Sequence, residues 1–62
     1  MEKIGNIYGA ANTVEEIVEM FKDEKAFQDA IDSGNNLAVR VYLSGRGYNR
    51  VTRSFAAAVL AV

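Results

Sequence analysis

Four arginines in the second half of the chain are the side chains best suited to ligand chemistry. Arg40, Arg46, Arg50 and Arg53 are the only charged residues of that half. A guanidinium group presents a rigid fork of donors that matches phosphate or carboxylate. If a helix begins at Ser44, the last three arginines lie at i, i+4 and i+7 and form one stripe. We therefore predict that these arginines bind an anionic partner.

The distribution of charge along the chain is compatible with this prediction. Residues 1–32 contain all eight acidic residues and three lysines, which gives that half a charge of −5. Residues 33–62 contain four arginines and no acid, which gives a charge of +4. Asymmetry of this kind indicates either an anionic partner or attraction between the two halves, within one chain or across a dimer.

Residue types that most enzymes need are missing from the sequence. The chain has no His and no Cys, so it lacks the commonest general base, the commonest metal ligand and a thiolate. Ser33, Ser44 and Ser54 have no imidazole to activate them. The acidic side chains fall mainly on the exposed face of a predicted helix. We expect no enzymatic activity, no metal site and no cofactor.

An acidic helix is predicted over about residues 13–33. Thr13 and Glu16 fit the capping-box pattern, and apolar residues follow at helical spacing. The pattern breaks near Asp23, so the helix is either long or broken in two. Gly34 fits the left-handed position that commonly ends a helix.

The next segment, residues 37–44, fits two structures. Apolar residues from Leu37 to Leu43 alternate with others, which favours a half-buried strand or hairpin. As a helix, the same segment would be apolar on nearly every side and would have to be buried. We predict the strand and keep the helix as the alternative.

The C-terminal segment is predicted to be an apolar helix over about residues 48–62. Its apolar residues recur at helical spacing, and Ala56–Ala58 favour a helix. Together the three segments predict an α+β fold in one small domain of residues 1–62. An all-α small helical bundle is the alternative.

This C-terminal helix is expected to need a cover from another chain. A domain of this size buries only about 60% of its unfolded surface, and without Cys no disulfide can staple it. Because a helix that is apolar all round is normally buried, we predict an interface with a second copy or a partner protein. Its residues are Tyr48, Val51, Phe55, Val59, Leu60 and Val62.

These observations lead to one functional prediction and two alternatives. We expect a small non-catalytic binding or regulatory protein, an inhibitor or adaptor of the kind that phages and mobile elements encode. It acts by protein–protein interaction, as a homodimer. The alternatives are a nucleic-acid-binding regulator that uses Arg46, Arg50 and Arg53, and a structural subunit that self-assembles. No segment reads as a signal peptide or approaches the roughly 20 apolar residues of a membrane span, so we expect a cytoplasmic protein without membrane contact.

Overall fold

A short β-hairpin opens the structure and leads directly into the first helix. The computed structural model describes residues 2–62. Strands β1 (Lys3–Gly5) and β2 (Ala11–Thr13) pair antiparallel, with Ile4 opposite Asn12. Successive side chains of a strand point to opposite faces, so Ile4 is buried while its two neighbours in β1 are exposed. The hairpin therefore contributes one large apolar side chain to the core.

Four helices complete the fold of residues 2–62. They are α1 (Val14–Phe21), α2 (Lys25–Asp32), α3 (Asn36–Gly45) and α4 (Arg53–Leu60). The hairpin and the helices together confirm the predicted α+β class. Among residues 2–62 there is no helix with the length and apolar character needed to cross a bilayer.

The acidic helix predicted over about residues 13–33 is present in its broken form, as α1 and α2. The predicted capping box is also present at the start of α1. The Thr13 hydroxyl accepts a hydrogen bond from the Glu16 N–H, and the Thr13 N–H donates to the Glu16 carboxylate at 2.8 Å. This backbone hydrogen bond lowers the pKa of the Glu16 carboxyl.

The prediction of a strand or hairpin at residues 37–44 is wrong, because that segment forms α3. Asn35 fixes the start of this helix: its side-chain oxygen accepts a hydrogen bond from the Leu37 N–H at 2.8 Å. Such a cap satisfies one of the backbone donors that the first turn of a helix leaves without a partner.

The alternating pattern of this segment is explained by two opposite faces of α3. Val39 and Leu43 lie four residues apart, point into the core and are fully buried. Leu37 and Val41, also four residues apart, lie on the opposite face and are exposed. Apolar residues at every second position therefore fall alternately on two opposite faces of this helix. The helix buries one apolar face and leaves the other in solvent, which the sequence analysis did not anticipate.

The C-terminal helix α4 is shorter than the predicted range of about 48–62. Thr52 sets its first turn, because the Thr52 hydroxyl accepts a hydrogen bond from the Phe55 N–H at 3.1 Å. The preceding residues are not helical. Tyr48 instead forms an antiparallel bridge with Asn6, just beyond the end of β1.

The core is built around α4, which packs against both α3 and α1. Phe55, Ala56 and Val59 of this helix are at most 1% exposed. Large core side chains around them come from the other elements and from the segment before α4, and include Ile4, Ile17, Phe27, Leu43 and Tyr48. The apolar inner face of the C-terminal helix is therefore covered by its own chain.

Gly47 provides a test of how the hairpin joins the helices. Its φ of +92° lies in the left-handed region, and a Cβ there would lie 3.1 Å from Ile7 Cγ1 and 3.3 Å from Tyr8 Cε2. We expect Gly47→Ala to lower the free energy of unfolding by roughly 1–2 kcal/mol. Urea denaturation followed by circular dichroism measures the change.

Gly45→Ala is the matched control for this variant. Gly45 is the last residue of α3, and a Cβ there would meet no atom within 4 Å. Alanine should therefore be neutral or stabilise the protein by up to about 1 kcal/mol. An equal loss of stability in both variants would contradict the close approach of the hairpin loop to Gly47.

Candidate functional site

The predicted arginine stripe is not formed. Arg46 follows the last residue of α3, Arg50 lies in the segment between the helices and Arg53 is the first residue of α4. The chain leaves helical geometry between Arg46 and Arg53, so their spacing does not place them on one helical face. The prediction of a single stripe is therefore wrong.

Arg46 is engaged by its own chain. Its Nη2 donates to the Oε1 of Glu24 in an ion pair. Its guanidinium carbon lies 5.2 Å from the centre of the Tyr42 ring and 5.9 Å from that of Phe21, within the range of cation–π contacts. This is an attraction between the acidic and basic halves within one chain. The pair uses part of the Arg46 guanidinium, and the role of Arg46 in anion binding stays a prediction.

Arg40, in contrast, is oriented without being neutralised. Its Nε donates to the backbone carbonyl of Val51 at 3.1 Å, which leaves the two Nη groups for another acceptor. Arg50 and Arg53 lie one and two residues from Val51 along the chain. Among the residues that the structure describes, these three arginines form no ion pair. A cationic region therefore lies beside the outer part of α3.

Four of the six predicted interface residues belong to the core. Tyr48, Val51, Phe55 and Val59 are at most 9% exposed, so they contact their own chain and present no surface to another. The prediction of an interface at these residues is wrong. The cover expected from a second chain is supplied by the chain's own core, to which the hairpin and all four helices contribute.

The other two predicted interface residues lie near the end of the chain. Leu60 is half-buried and packs against the core. Val62 is 69% exposed and borders two shallow grooves, one shared with Phe27 and Ile31 and one shared with Val14.

The outer face of α3 carries apolar surface that the core leaves uncovered. Leu37 and Val41 are 60% and 62% exposed and lie one helical turn apart. Ser44 continues the same line along the helix. We call these three residues the α3 ridge. Their side chains are available to a partner without any change in the core.

A groove of about 300 Å³ follows one side of the α3 ridge. It is lined by the ridge residues together with Arg40, Tyr48, Asn49 and Val51. The Tyr48 hydroxyl is already used, since it donates to Asn12 Oδ1 at 2.6 Å. Arg40, Ser44 and Asn49 therefore provide the polar groups of this groove, which we call the arginine groove.

A second groove, of about 570 Å³ and therefore larger in volume, follows the opposite side of the ridge, between α2 and α3. It is lined by Ala26, Asp29, Ala30, Asn35, Leu37, Ala38, Val41 and Tyr42. Its one charged lining residue is Asp29, whose carboxylate accepts from Lys25 Nζ at 3.1 Å on the exposed side of α2. We call it the aspartate groove. The ridge thus separates a flank that carries Arg40 from a flank that carries the Asp29–Lys25 pair.

Three residues of this surface are absent from the site residues predicted from the sequence, namely Leu37, Val41 and Asp29. The exposure of Leu37 and Val41 could have been predicted from the sequence. Asn35 is a good helix cap, and in a helix the pairs 37/41 and 39/43 fall on different faces. Nothing in the sequence alone could bring Asp29 beside them. Within residues 2–62 there is no group of three or more acidic side chains placed to hold a metal ion.

The Tyr42 hydroxyl reports on the contact between Arg46 and Glu24. Burial, and then the hydrogen bond that this hydroxyl donates to Glu24 Oε1 at 2.6 Å, raise the pKa of Tyr42 above its usual 10.0. We expect Glu24→Gln to lower this pKa, because the Arg46 cation then stabilises the phenolate without an opposing carboxylate. An NMR titration of the tyrosine ring carbons measures the shift.

The matched control is Glu19→Gln, since Glu19 pairs with Lys22 on the exposed side of α1. It should leave the Tyr42 titration unchanged.

The raised pKa of Tyr42 also makes the free energy of unfolding depend on pH. Its stabilising effect is complete below pH about 10 and is lost as the pH rises through the raised pKa. A Tyr42 pKa that is the same in wild type and in Glu24→Gln would contradict the contact.

Comparisons with known proteins give no further indication. No protein-family model matches the chain, and neither the curated proteins nor the solved structures contain a match. Function is therefore inferred from the surface itself.

Proposed function

We propose that the protein is a small non-catalytic binding protein that acts by protein–protein contact through the α3 ridge and its two grooves. The observation that carries this proposal is the exposure of Leu37 and Val41 on a helix whose opposite face is fully buried. Large apolar side chains that adjoin on one exposed face and border grooves are typical of helix-in-groove recognition. An inhibitor or adaptor acts through a surface of this kind.

The chemistry of the two grooves favours a partner that combines apolar side chains with carboxylates. Ala26, Ala30 and Ala38 leave the aspartate groove wide, so an apolar side chain can lie against Tyr42. On the other side, Arg40 is held by the Val51 carbonyl and keeps two Nη groups for a carboxylate. Fixing one guanidinium nitrogen reduces the entropy that is lost when the others bind.

Nucleic acid is the second candidate partner, supported by Arg40, Arg50 and Arg53, which form no ion pair within the described chain. Two observations favour a protein over a nucleic acid. Arg46 is already paired with Glu24, and the chain carries a net charge of −1, which provides little long-range attraction to phosphate. Binding through phosphate contacts would weaken steeply with added salt.

A peptide titration tests the proposal. The probe is an amphipathic helical peptide with two leucines four residues apart and glutamates beside them; a second peptide carries lysines in place of the glutamates. Added to about 20 μM ¹⁵N-labelled protein, the acidic peptide should shift the amide signals of α3 and the Arg40 Nε–H signal. The basic peptide should bind more weakly. The double variant Leu37→Ser, Val41→Ser should weaken binding of the acidic peptide about tenfold or more.

Met20→Ser is the matched control, because Met20 is an exposed apolar side chain of α1, remote from the α3 ridge. It should bind the acidic peptide as the wild type does. The proposal is overturned if the acidic peptide shifts no α3 signal. It is also overturned if a DNA or RNA duplex shifts the Arg50 and Arg53 signals at lower concentration and in a salt-dependent manner.

A further inference from the structure

The charges on the two flanks of the α3 ridge indicate which partner covers it. Arg40 lines the arginine groove and has no ion pair among residues 2–62, while Asp29 lines the aspartate groove and pairs with Lys25. Leu37 and Val41 form a wall of both grooves. One face of the molecule therefore has a cation on one side, an apolar centre, and on the other side a carboxylate. The pairing of that carboxylate with Lys25 is exposed to solvent, so it is weak and can be exchanged for Arg40 of another copy.

A face with this pattern is complementary to itself. A second copy can be placed on this face by a 180° rotation about an axis that lies in the interface and runs along the ridge. In this arrangement the two sides of the second face are exchanged relative to those of the first. The arginine groove of one copy then lies over the aspartate groove of the other, and the same contact occurs twice, as in every isologous interface. An acidic patch or a basic patch alone would repel its own copy, whereas this face attracts it.

We propose that the α3 ridge is covered by a second copy of this chain, in a two-fold symmetric dimer in which Arg40 of each copy pairs with Asp29 of the other. This assignment rests on the proposed function, since it names the partner of that same surface. Leu37 and Val41 of the two copies meet across the axis. The alanines of the aspartate groove allow the two copies of α3 to approach closely.

The size of the face predicts a dimer that depends on concentration. A stable interface buries about 800 Å² on each partner, which is about a fifth of the 3949 Å² surface of this molecule. The molecule measures 28 by 20 by 18 Å, so an interface of this area would occupy nearly a whole face, and a smaller interface makes the dimer weak. Each copy carries a net charge of only −1, so overall repulsion between copies is small.

A charge-swap experiment tests the dimer by sedimentation over about 5–500 μM protein. The wild type should show a concentration-dependent change from monomer to dimer. Arg40→Asp alone and Asp29→Arg alone each create two like-charge pairs, so each should weaken dimerisation at least tenfold. An equimolar mixture of the two variants restores both opposite-charge pairs and should form a heterodimer with wild-type affinity.

Two further variants separate the interface from folding. Lys3→Asp makes the same change in charge on an exposed side chain of β1, outside both grooves, and should dimerise as the wild type does. Val41→Asp places a charge at the centre of the ridge, on a side chain that is already exposed, and should remain folded by circular dichroism while losing the dimer. This variant tests the interface even if Arg40→Asp unfolds through loss of its hydrogen bond to the Val51 carbonyl.

The inference is overturned if the wild type stays monomeric at about 500 μM, if the folded single variants dimerise as well as the wild type, or if their mixture fails to form the heterodimer. A monomeric wild type that still binds the acidic peptide overturns the second copy as occupant and leaves the proposed function standing. A wild type that neither dimerises nor binds the peptide overturns both.

Discussion

Burial of Phe55, Ala56 and Val59 at the centre of the molecule is the constraint on which the rest of the structure depends. Without disulfides, the chain must enclose α4 with the few elements that it has, and it does so with the hairpin, α1 and the inner face of α3. Once Val39 and Leu43 have turned inward toward α4, the other apolar face of α3 has no element left to cover it. The exposed ridge is therefore a consequence of how the core is closed.

Electrostatic contacts within the chain decide which charges remain for a partner. The Glu24 carboxylate brings Arg46 and the Tyr42 hydroxyl together and ties the end of α3 to the turn between α1 and α2. Beside it, the rings of Phe21 and Tyr42 lie edge to face at 5.5 Å between centres. Some of the opposite charges in the two halves of the chain are thus paired with each other inside the fold. Arg40 and the exposed Asp29–Lys25 pair lie on opposite flanks of the ridge, where they are in reach of another molecule.

Features determined by neighbouring residues could be predicted from the sequence. The capping box of Thr13 and Glu16 and the break near Asp23 are local, and both are present in the structure. The strand predicted at residues 37–44 failed because apolar residues spaced by two also satisfy two faces of a helix. The choice between them was made by the Asn35 cap and by packing against α4, and the packing is not a local property.

The predicted binding residues failed for a related reason, since burial and spatial proximity depend on the tertiary structure. Phe55 and Val59 looked in need of a partner because their cover comes from elements distant in the sequence. The arginine stripe failed because Gly47 adopts a left-handed conformation and Thr52 starts a new helix, so the chain between Arg46 and Arg53 is not helical. The pairing of the Asp29 flank with the Arg40 flank is visible only once α2 and α3 are placed side by side.

The central claim is that one copy of this chain encloses its own core and leaves the α3 ridge exposed. Equilibrium unfolding in urea at about 1 μM protein, well below the concentration at which the ridge is expected to pair, tests it most directly. A cooperative transition whose midpoint is unchanged between about 1 and 10 μM is the predicted result. A chain that is unfolded at about 1 μM and gains structure only as its concentration rises would show that the core itself needs a second copy, and would contradict the claim.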